Sequence, residues 1–342
     1  MEKIKEILNG LINATSPSGY ECLGADALKN LTGDTFDKIY TDNLGTVVLV
    51  KKSKKENAKK LLVDAHFDTV GLMVTRVYEG GFLGVCSLGG LDTSVLPSGE
   101  VTVYGNEEIY GIITSTPPHL KTGDSSAPKL KELYIDTGLT KEEAEKKIPV
   151  GSVATFRNKV EYINGDYVIS AGLDDKSCLC ALLYAAQSLD PEKMEFDLYI
   201  TASAQEETGK CGPSRAAYDI APDLAIVTDV NFAKTGKDED FEAIECKKGA
   251  SIDISSVCTR KAIKSIMKHL TSEKIPYQVV CEPRATSTNA DALSISTLGF
   301  PTVLMSIPLK AMHTPSEIVN LKDIKSLADI ISSIATCKDI ID

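Results

Sequence analysis

Two of the four histidines in this 342-residue chain follow apolar runs and stand near carboxylates. His66 ends an apolar run two residues before Asp68, and His313 comes shortly after another apolar run. Three acidic segments lie between them in the sequence, each beside its own apolar run: Asp174–Asp175, Glu206–Glu207 and Asp229. Imidazoles and carboxylates in this number are what a hydrolytic site with two metal ions requires.

Five of these side chains would complete a ligand set for two divalent cations. One bridging carboxylate would give each metal a shared ligand and two ligands of its own, and two dications would nearly balance three carboxylates and a hydroxide. Such a set of nitrogen and oxygen ligands suits Zn²⁺, and also Co²⁺ or Mn²⁺. A metal-bridged hydroxide is then the expected nucleophile. The predicted ligands are His66, Asp174, Glu207, Asp229 and His313.

The adjacent residues Glu206 and Glu207 are expected to have different roles in the site. Neighbours on a regular strand point to opposite faces, so we expect only one of Glu206 and Glu207 to bind metal. The other can act as a general base toward the metal-bound water. Asp68 can reach the second ring nitrogen of His66 and fix the orientation of the imidazole.

Each motif taken alone has an ordinary structural explanation. A histidine at a strand end is more often a surface or core residue, and Asp175 could simply cap a helix. His269 does not stand beside a carboxylate at the end of an apolar run, so we expect a structural role for it, whereas the role of His119 stays open. The joint occurrence of the motifs at the ends of successive apolar runs is what favours a metal site.

Composition excludes several classes of partner and location. The formal net charge of −11 argues against nucleic acid or an anionic membrane as the main partner. No apolar run approaches the roughly 20 residues that a membrane span requires. The nine cysteines are scattered and the charged start Met1–Lys5 does not read as a signal peptide, so we expect reduced thiols in the cytoplasm. Cys178 and Cys180 are expected in a buried helix.

The order of predicted elements indicates an α/β fold with an insertion. Residues 1–70 and 162–342 alternate between strand-like and helix-like segments, which predicts a mixed, largely parallel sheet flanked by helices. Residues 71–161 contain short β-rich runs between glycine and proline turns, which predicts an inserted β-barrel or sandwich. Ligands of open α/β sheets gather beyond the carboxyl ends of the strands, so distant residues can converge there.

Ordered motifs along nearly the whole chain add a resemblance to a known family. They are Ser16–Glu21, Asp42–Gly45, Ala65–Asp68, Gly111–Leu120, Leu133–Asp136, Leu173–Lys176, Gln205–Gly209, Thr228–Val230 and His313–Glu317. Together they resemble the glutamyl aminopeptidase or tetrahedral aminopeptidase family of dinuclear metallopeptidases, which has a zinc-exopeptidase-like fold. Some members carry the label cellulase M, which the chemistry of these residues does not support.

The resemblance implies a role for each candidate ligand. His66 and Asp229 would hold one metal, Glu207 and His313 would hold the other, and Asp174 would bridge the two. These five assignments follow from the family's pattern and not from spacing alone.

The resemblance also implies roles beyond the ligands. Glu206 would be the general base, Asp68 would support His66, and the peptide bond between Asp174 and Asp175 would be cis. The inserted domain, residues 71–161, would drive dimerisation and assembly into a hollow tetrahedral dodecamer.

The chain departs from the family's pattern at several positions. Thr69 stands in place of an acidic residue, Lys176 in place of arginine, Asn289 in place of aspartate, and Lys310–Ala311 in place of an Arg-Tyr pair. None of these changes removes a predicted metal ligand, but Thr69 and Ala311 could alter the substrate pocket or the contacts between subunits.

The function that this sequence predicts is removal of N-terminal residues from short peptides by a metal-dependent aminopeptidase. Two alternatives remain at this point. The same site could serve a deacylase of N-acyl amino acids, or the chain could be a metal-free relative that serves as an assembly partner.

Overall fold

The structure is a computed structural model that describes residues 1–115, 127–235 and 243–341. Its helices are α1 (Glu2–Asn13), α2 (Ala25–Thr32), α3 (Lys141–Lys147), α4 (Leu173–Ser188), α5 (Glu206–Gly209), α6 (Gly212–Ile220), α7 (Arg260–Ser272), α8 (Asn289–Ser294) and α9 (Leu321–Ala335). Its strands are β1 (Lys38–Thr41), β2 (Val47–Lys51), β3 (Lys59–His66), β4 (Gly71–Val77), β5 (Leu83–Leu88), β6 (Glu100–Tyr104), β7 (Glu108–Ser115), β8 (Leu133–Asp136), β9 (Val153–Phe156), β10 (Glu161–Ile163), β11 (Tyr167–Ser170), β12 (Phe196–Ser203), β13 (Leu224–Phe232), β14 (Ser251–Ser255), β15 (Gln278–Glu282), β16 (Thr302–Leu309) and β17 (Glu317–Asn320).

The central sheet has eight strands in the order β1-β2-β12-β3-β13-β16-β14-β15. Its middle strands, β12, β3, β13 and β16, are all parallel to one another. Their carboxyl ends therefore meet along one edge, where Ser203 pairs with His66 and Asp229 pairs with Ser306. The predicted mixed, largely parallel sheet is confirmed, and this edge is where ligands are expected in such folds.

Helices cover the sheet in the way that their apolar patterns predict. In α1 the buried residues are Ile4, Ile7, Leu8, Leu11 and Ile12, which follow the helical period. Nearly every residue of helix α4 is buried, and Cys178 and Cys180 on this helix are fully buried, as predicted. Within the described ranges, no helix is both long enough and apolar enough to cross a membrane.

The insertion folds as a closed barrel of six strands in the order β4-β5-β8-β7-β6-β9. Its separate core contains Leu72, Val101, Val103, Ile113 and Ile135, each almost fully buried. Since the sequence left barrel and sandwich open, the structure decides for the barrel. Closure pairs every strand on both sides, so no edge is exposed to unwanted pairing.

Two sequence-based expectations differ from the observed local structure. Neither carboxylate oxygen of Asp175 accepts a main-chain N–H, so Asp175 is not the N-cap of helix α4, which begins at Leu173. Residues 317–320 form a strand that the sequence did not predict. Strand β17 joins β10 and β11 in a small antiparallel sheet beside the N-terminus of α4.

Asp253, a buried residue on β14, is expected to make the stability of the protein depend on pH. Its fully buried carboxylate accepts hydrogen bonds from the hydroxyls of Ser251 and Ser306, and burial raises its pKa to about 6. The unfolded chain has a pKa of about 3.9, so the folded state binds the proton more tightly and Asp253 favours folding less as the pH rises from 4 through 6. We expect Asp253→Asn to lose this dependence. Relative to the wild type, its free energy of unfolding in urea should rise by roughly 2 kcal/mol between pH 4.5 and pH 7.5. A difference that does not change with pH would contradict this prediction.

Candidate metal centre

His66, Asp174 and Asp229 form the first of two groups of possible metal ligands. His66 ends β3, Asp229 lies on the neighbouring β13, and all three side chains are buried. His66 Nε2 lies 3.0 Å from Asp174 Oδ1 and 3.9 Å from Asp229 Oδ1. One imidazole nitrogen and two carboxylates thus face a common point, as a metal ion would require.

Asp174, Glu207 and His313 form the second group. His313 Nε2 lies 3.2 Å from Asp174 Oδ2 and 3.2 Å from Glu207 Oε1. Asp174 therefore belongs to both groups, with one carboxylate oxygen toward each histidine. In each group the possible ligand atoms all lie within 4.8 Å of one another, so the structure brings together all five side chains that the sequence predicted as ligands.

The backbone at the start of α4 positions the shared aspartate. Gly172 has a φ of +69°, in the left-handed region that favours glycine, and it precedes the helix as its N-cap. Asp174 and Asp175 depart from helical backbone angles, and the peptide bond between them is cis, as the resemblance implied. The turn directs the carboxylate of Asp174 toward the carboxyl edge of the sheet.

Glu206 and Glu207 begin the short helix α5, so the expectation that they extend a strand is wrong. Gln205, two residues after the end of β12, takes a left-handed conformation with a φ of +59° and precedes the helix. The carboxylate of Asp68 accepts the main-chain N–H groups of Glu206 at 3.0 Å and Glu207 at 3.1 Å. Successive residues of a helix point in different directions, so the two glutamate side chains still diverge.

The contact between Asp68 and His66 also differs from the expected one. The main-chain carbonyl of Asp68 lies 2.9 Å from His66 Nδ1, whereas its carboxylate oxygen is 3.7 Å from that nitrogen. A proton on Nδ1 donated to this carbonyl leaves Nε2 free to bind a metal. Asp68 thus orients the imidazole through its backbone and uses its side chain to hold the turn of the glutamates.

The electrostatics of the site fit a pair of divalent cations. Burial, together with the nearby carboxylates of Glu207 and Asp68, raises the pKa of Glu206 to about 7, although the charge of His66 opposes the rise. Burial and the charge of Asp175 raise the pKa of Asp229 well above its ordinary value. Burial would likewise raise the pKa of Asp174, but hydrogen bonds with His313 and His66 outweigh it and lower that pKa. Cations would relieve the repulsion among these carboxylates, and their ligand types match a nitrogen and oxygen site.

Glu206 differs from its neighbours in that it belongs to neither ligand group. Its Oε1 atom is buried and meets no hydrogen-bond partner among the described residues. A carboxylate with a free oxygen and a pKa of about 7 has the properties of a general base.

A cleft of about 800 Å³ opens over the two ligand groups, large enough for a short peptide. Besides the ligands and Glu206, residues of mixed charge line it, among them Lys210, Asn231, Phe232, Glu282 and Arg284. The sequence reasoning missed these residues. Lys210 follows Glu207 by three positions and Asn231 follows Asp229 by two, so proximity to the predicted ligands was the available signal for these two residues.

The remaining candidates lie elsewhere. His269 Nε2 contacts Ser333 Oγ at 2.8 Å on the helical layer, whereas His119 lies outside the described residues. Asn289, one of the departures from the family's pattern, is buried and donates hydrogen bonds to Asp64 Oδ2 and Ser203 Oγ. It therefore belongs to a buried polar cluster and does not line the cleft. Thr69 is buried, and its N–H donates to the carbonyl of Ser16 at 2.9 Å.

Comparisons with known proteins agree with this geometry. A family model described as M42 glutamyl aminopeptidase matches residues 45–330. A lysyl aminopeptidase of Pyrococcus furiosus is 31% identical over 326 residues, which cover 93% of this chain and 93% of that protein. Among solved structures, an aminopeptidase of Desulfurococcus kamchatkensis superposes with a TM-score of 0.91 at 28% identity, covering 98% of this chain and 95% of the other. The TET1 peptidase of Pyrococcus horikoshii, described as able to assemble into a tetrahedron or a large octahedral shell, superposes with a TM-score of 0.85 at 26% identity, covering 97% of this chain and 99% of the other.

Proposed function

Because the chain belongs to the M42 glutamyl aminopeptidase family of metal-dependent aminopeptidases, we propose that it removes N-terminal residues from short peptides at a centre of two divalent metal ions. The observation that carries the proposal is the position of Asp174, whose two carboxylate oxygens face His66 and His313. His66 and Asp229 would hold one metal, and Glu207 and His313 would hold the other. The nitrogen and oxygen ligands support Zn²⁺, with Co²⁺ or Mn²⁺ as alternatives.

Glu206 would act as the general base of the reaction. Two bound metal ions polarise a carbonyl and make a water molecule more acidic at neutral pH. Glu206 would accept the proton of the attacking water on its free carboxylate oxygen and then donate it to the leaving amine. Asp68 would keep this carboxylate in place, since it holds the main-chain N–H groups of Glu206 and Glu207.

Cleavage of a substrate panel tests the reaction and separates it from deacylation. After treatment with a chelator we expect no hydrolysis of aminoacyl chromogenic substrates, and addition of Zn²⁺, Co²⁺ or Mn²⁺ should restore it. The matched N-acetylated substrates, which lack a free α-amine, should remain uncleaved. Release of the amino acid from N-acylated substrates alone would instead identify a deacylase. Failure of the metal-treated protein to cleave either series would leave the assembly role as the better account.

The inserted domain, residues 71–161, is the part that we propose mediates dimerisation and assembly into a tetrahedral dodecamer. The description of the TET1 peptidase as able to assemble into a tetrahedron supports the assembly itself by analogy. Exposed apolar side chains on this domain, Tyr78, Phe82, Tyr110, Ile112 and Val150, would be suited to contacts between subunits.

We propose that the protein is located in the cytoplasm. All nine cysteines are free thiols, which supports a reducing compartment.

A further inference from the structure

Glu317, at the start of β17, connects two segments of the metal centre through one side chain. It is 1% exposed, and its carboxylate accepts three main-chain N–H groups. Oε2 accepts from Leu173 at 2.7 Å and from Asp174 at 3.2 Å, whereas Oε1 accepts from His313 at 2.8 Å. Each oxygen therefore holds a different segment, and each segment carries a predicted metal ligand.

The oxygen that faces α4 takes the place of a missing helix cap. The first N–H groups of a helix have no partner within it, and Gly172 has no side chain to offer. Glu317 accepts the N–H groups of Leu173 and Asp174, the first two residues of α4. A negative charge at a helix N-terminus is also favourable, and the buried ammonium of Lys176 attracts the same carboxylate. Burial and the charge of Asp174 nevertheless raise the pKa of Glu317 to about 8, so its three main-chain contacts, and not its charge, are what support its role.

We propose that Glu317 is a positioning residue that fixes the ligands Asp174 and His313 relative to each other. His313 has a φ of +59°, so its loop adopts a backbone that non-glycine residues rarely take, and the N–H of this same residue is what Glu317 holds. Tying the loop to α4 preorganises the two ligands before a metal arrives. The inference rests on the proposed function only in that Asp174 and His313 bind metal.

Substitution by glutamine breaks this connection whichever way the new amide is turned. The amide oxygen can accept from α4 or from His313, but its NH₂ group then faces a main-chain N–H on the other side. We expect Glu317→Gln to weaken Co²⁺ binding at the site of Glu207 and His313 by about 10- to 100-fold, the range found when partners of metal ligands are removed. Titration of the chelator-treated protein with Co²⁺ alone, monitored by calorimetry and visible absorption, measures this loss of Co²⁺ affinity. The relevant binding step is the one that Glu207→Gln abolishes. Because all ligands remain, kcat at saturating Co²⁺ should recover to within a few fold of the wild type.

Two further variants separate positioning from charge and from general stability. Glu317→Asp keeps the charge but is one methylene shorter, so it should reach only one segment and show an intermediate loss of Co²⁺ affinity. Asp323 is also fully buried and accepts two main-chain N–H groups, from Lys247 and Gly249, and it belongs to neither ligand group. Asp323→Asn should lose stability while its Co²⁺ affinity stays that of the wild type.

The outcomes decide the inference independently of peptide cleavage. Unchanged Co²⁺ affinity in Glu317→Gln, or an equal loss in Asp323→Asn, overturns it. If Glu317→Gln does not fold, wild-type Co²⁺ affinity in Glu317→Asp overturns it and reduced affinity supports it. A wild-type protein that binds two Co²⁺ ions but cleaves no peptide would remove the proposed function and leave this inference testable.

Discussion

Replacing Glu206 with glutamine is expected to lower kcat by about 10²- to 10⁴-fold while both metal ions remain bound. Glutamine has nearly the same shape, but its amide cannot accept the proton of the attacking water. Glu206 lies in neither ligand group, so its loss removes no predicted ligand. Steady-state kinetics on an aminoacyl substrate, together with metal analysis of the same preparation, measure both parts of the prediction.

The neighbouring residue provides the matched control. Glu207→Gln makes the same chemical change one position later, but it removes a predicted ligand of the second group. We expect Glu207→Gln to bind one metal fewer, whereas Glu206→Gln binds the full number. Full turnover in Glu206→Gln, or a loss of metal from it, would show that the roles of the two glutamates are wrongly assigned.

The proposed metal ligands could be identified from the sequence because of how parallel sheets are built. His66 and Asp229 end or follow apolar runs, and parallel strands place such positions along one edge. The separate texture of residues 71–161 likewise predicted the barrel, because short β-rich runs between turns differ from strand–helix alternation. The segment that forms β5, Leu83–Leu88, was not among the β-rich runs predicted for residues 71–161, because it contains Gly84 and Ser87 and lacks a clear alternation of apolar and polar residues.

The supporting contacts could not be predicted, because they join side chains to distant main-chain groups. Asp68 holds the amides of residues 138 and 139 positions away, and Glu317 holds amides 143 and 144 positions away. Neither contact leaves a pattern of spacing, since any buried carboxylate can accept an N–H. The turn at Glu206 was mispredicted for a related reason. Gln205 adopts a left-handed backbone that its residue type does not signal.

Replacing Asp174 with asparagine is expected to weaken both metal sites at once, unlike any other single ligand change. Among the described residues it is the side chain common to both ligand groups, and its two oxygens lie 3.0 Å from His66 Nε2 and 3.2 Å from His313 Nε2. Asparagine turns one of these oxygens into an NH₂ donor, which cannot bind a cation, and removes the negative charge between the sites. Metal polarisation is worth several kcal/mol, so kcat/KM should fall by about 10³-fold or more.

Variants of ligands that belong to only one group test whether the loss at both sites is specific to the shared carboxylate of Asp174. Asp229→Asn should weaken only the site that contains His66, and Glu207→Gln only the site that contains His313, so each should retain one metal per chain. Asp174→Asn should retain less than one when dialysed under the same conditions. Metal content measured alongside unfolding curves distinguishes lost ligands from lost structure. Two tightly bound metals in Asp174→Asn, or an equal loss of both from Asp229→Asn, would mean that the two sites do not share this carboxylate.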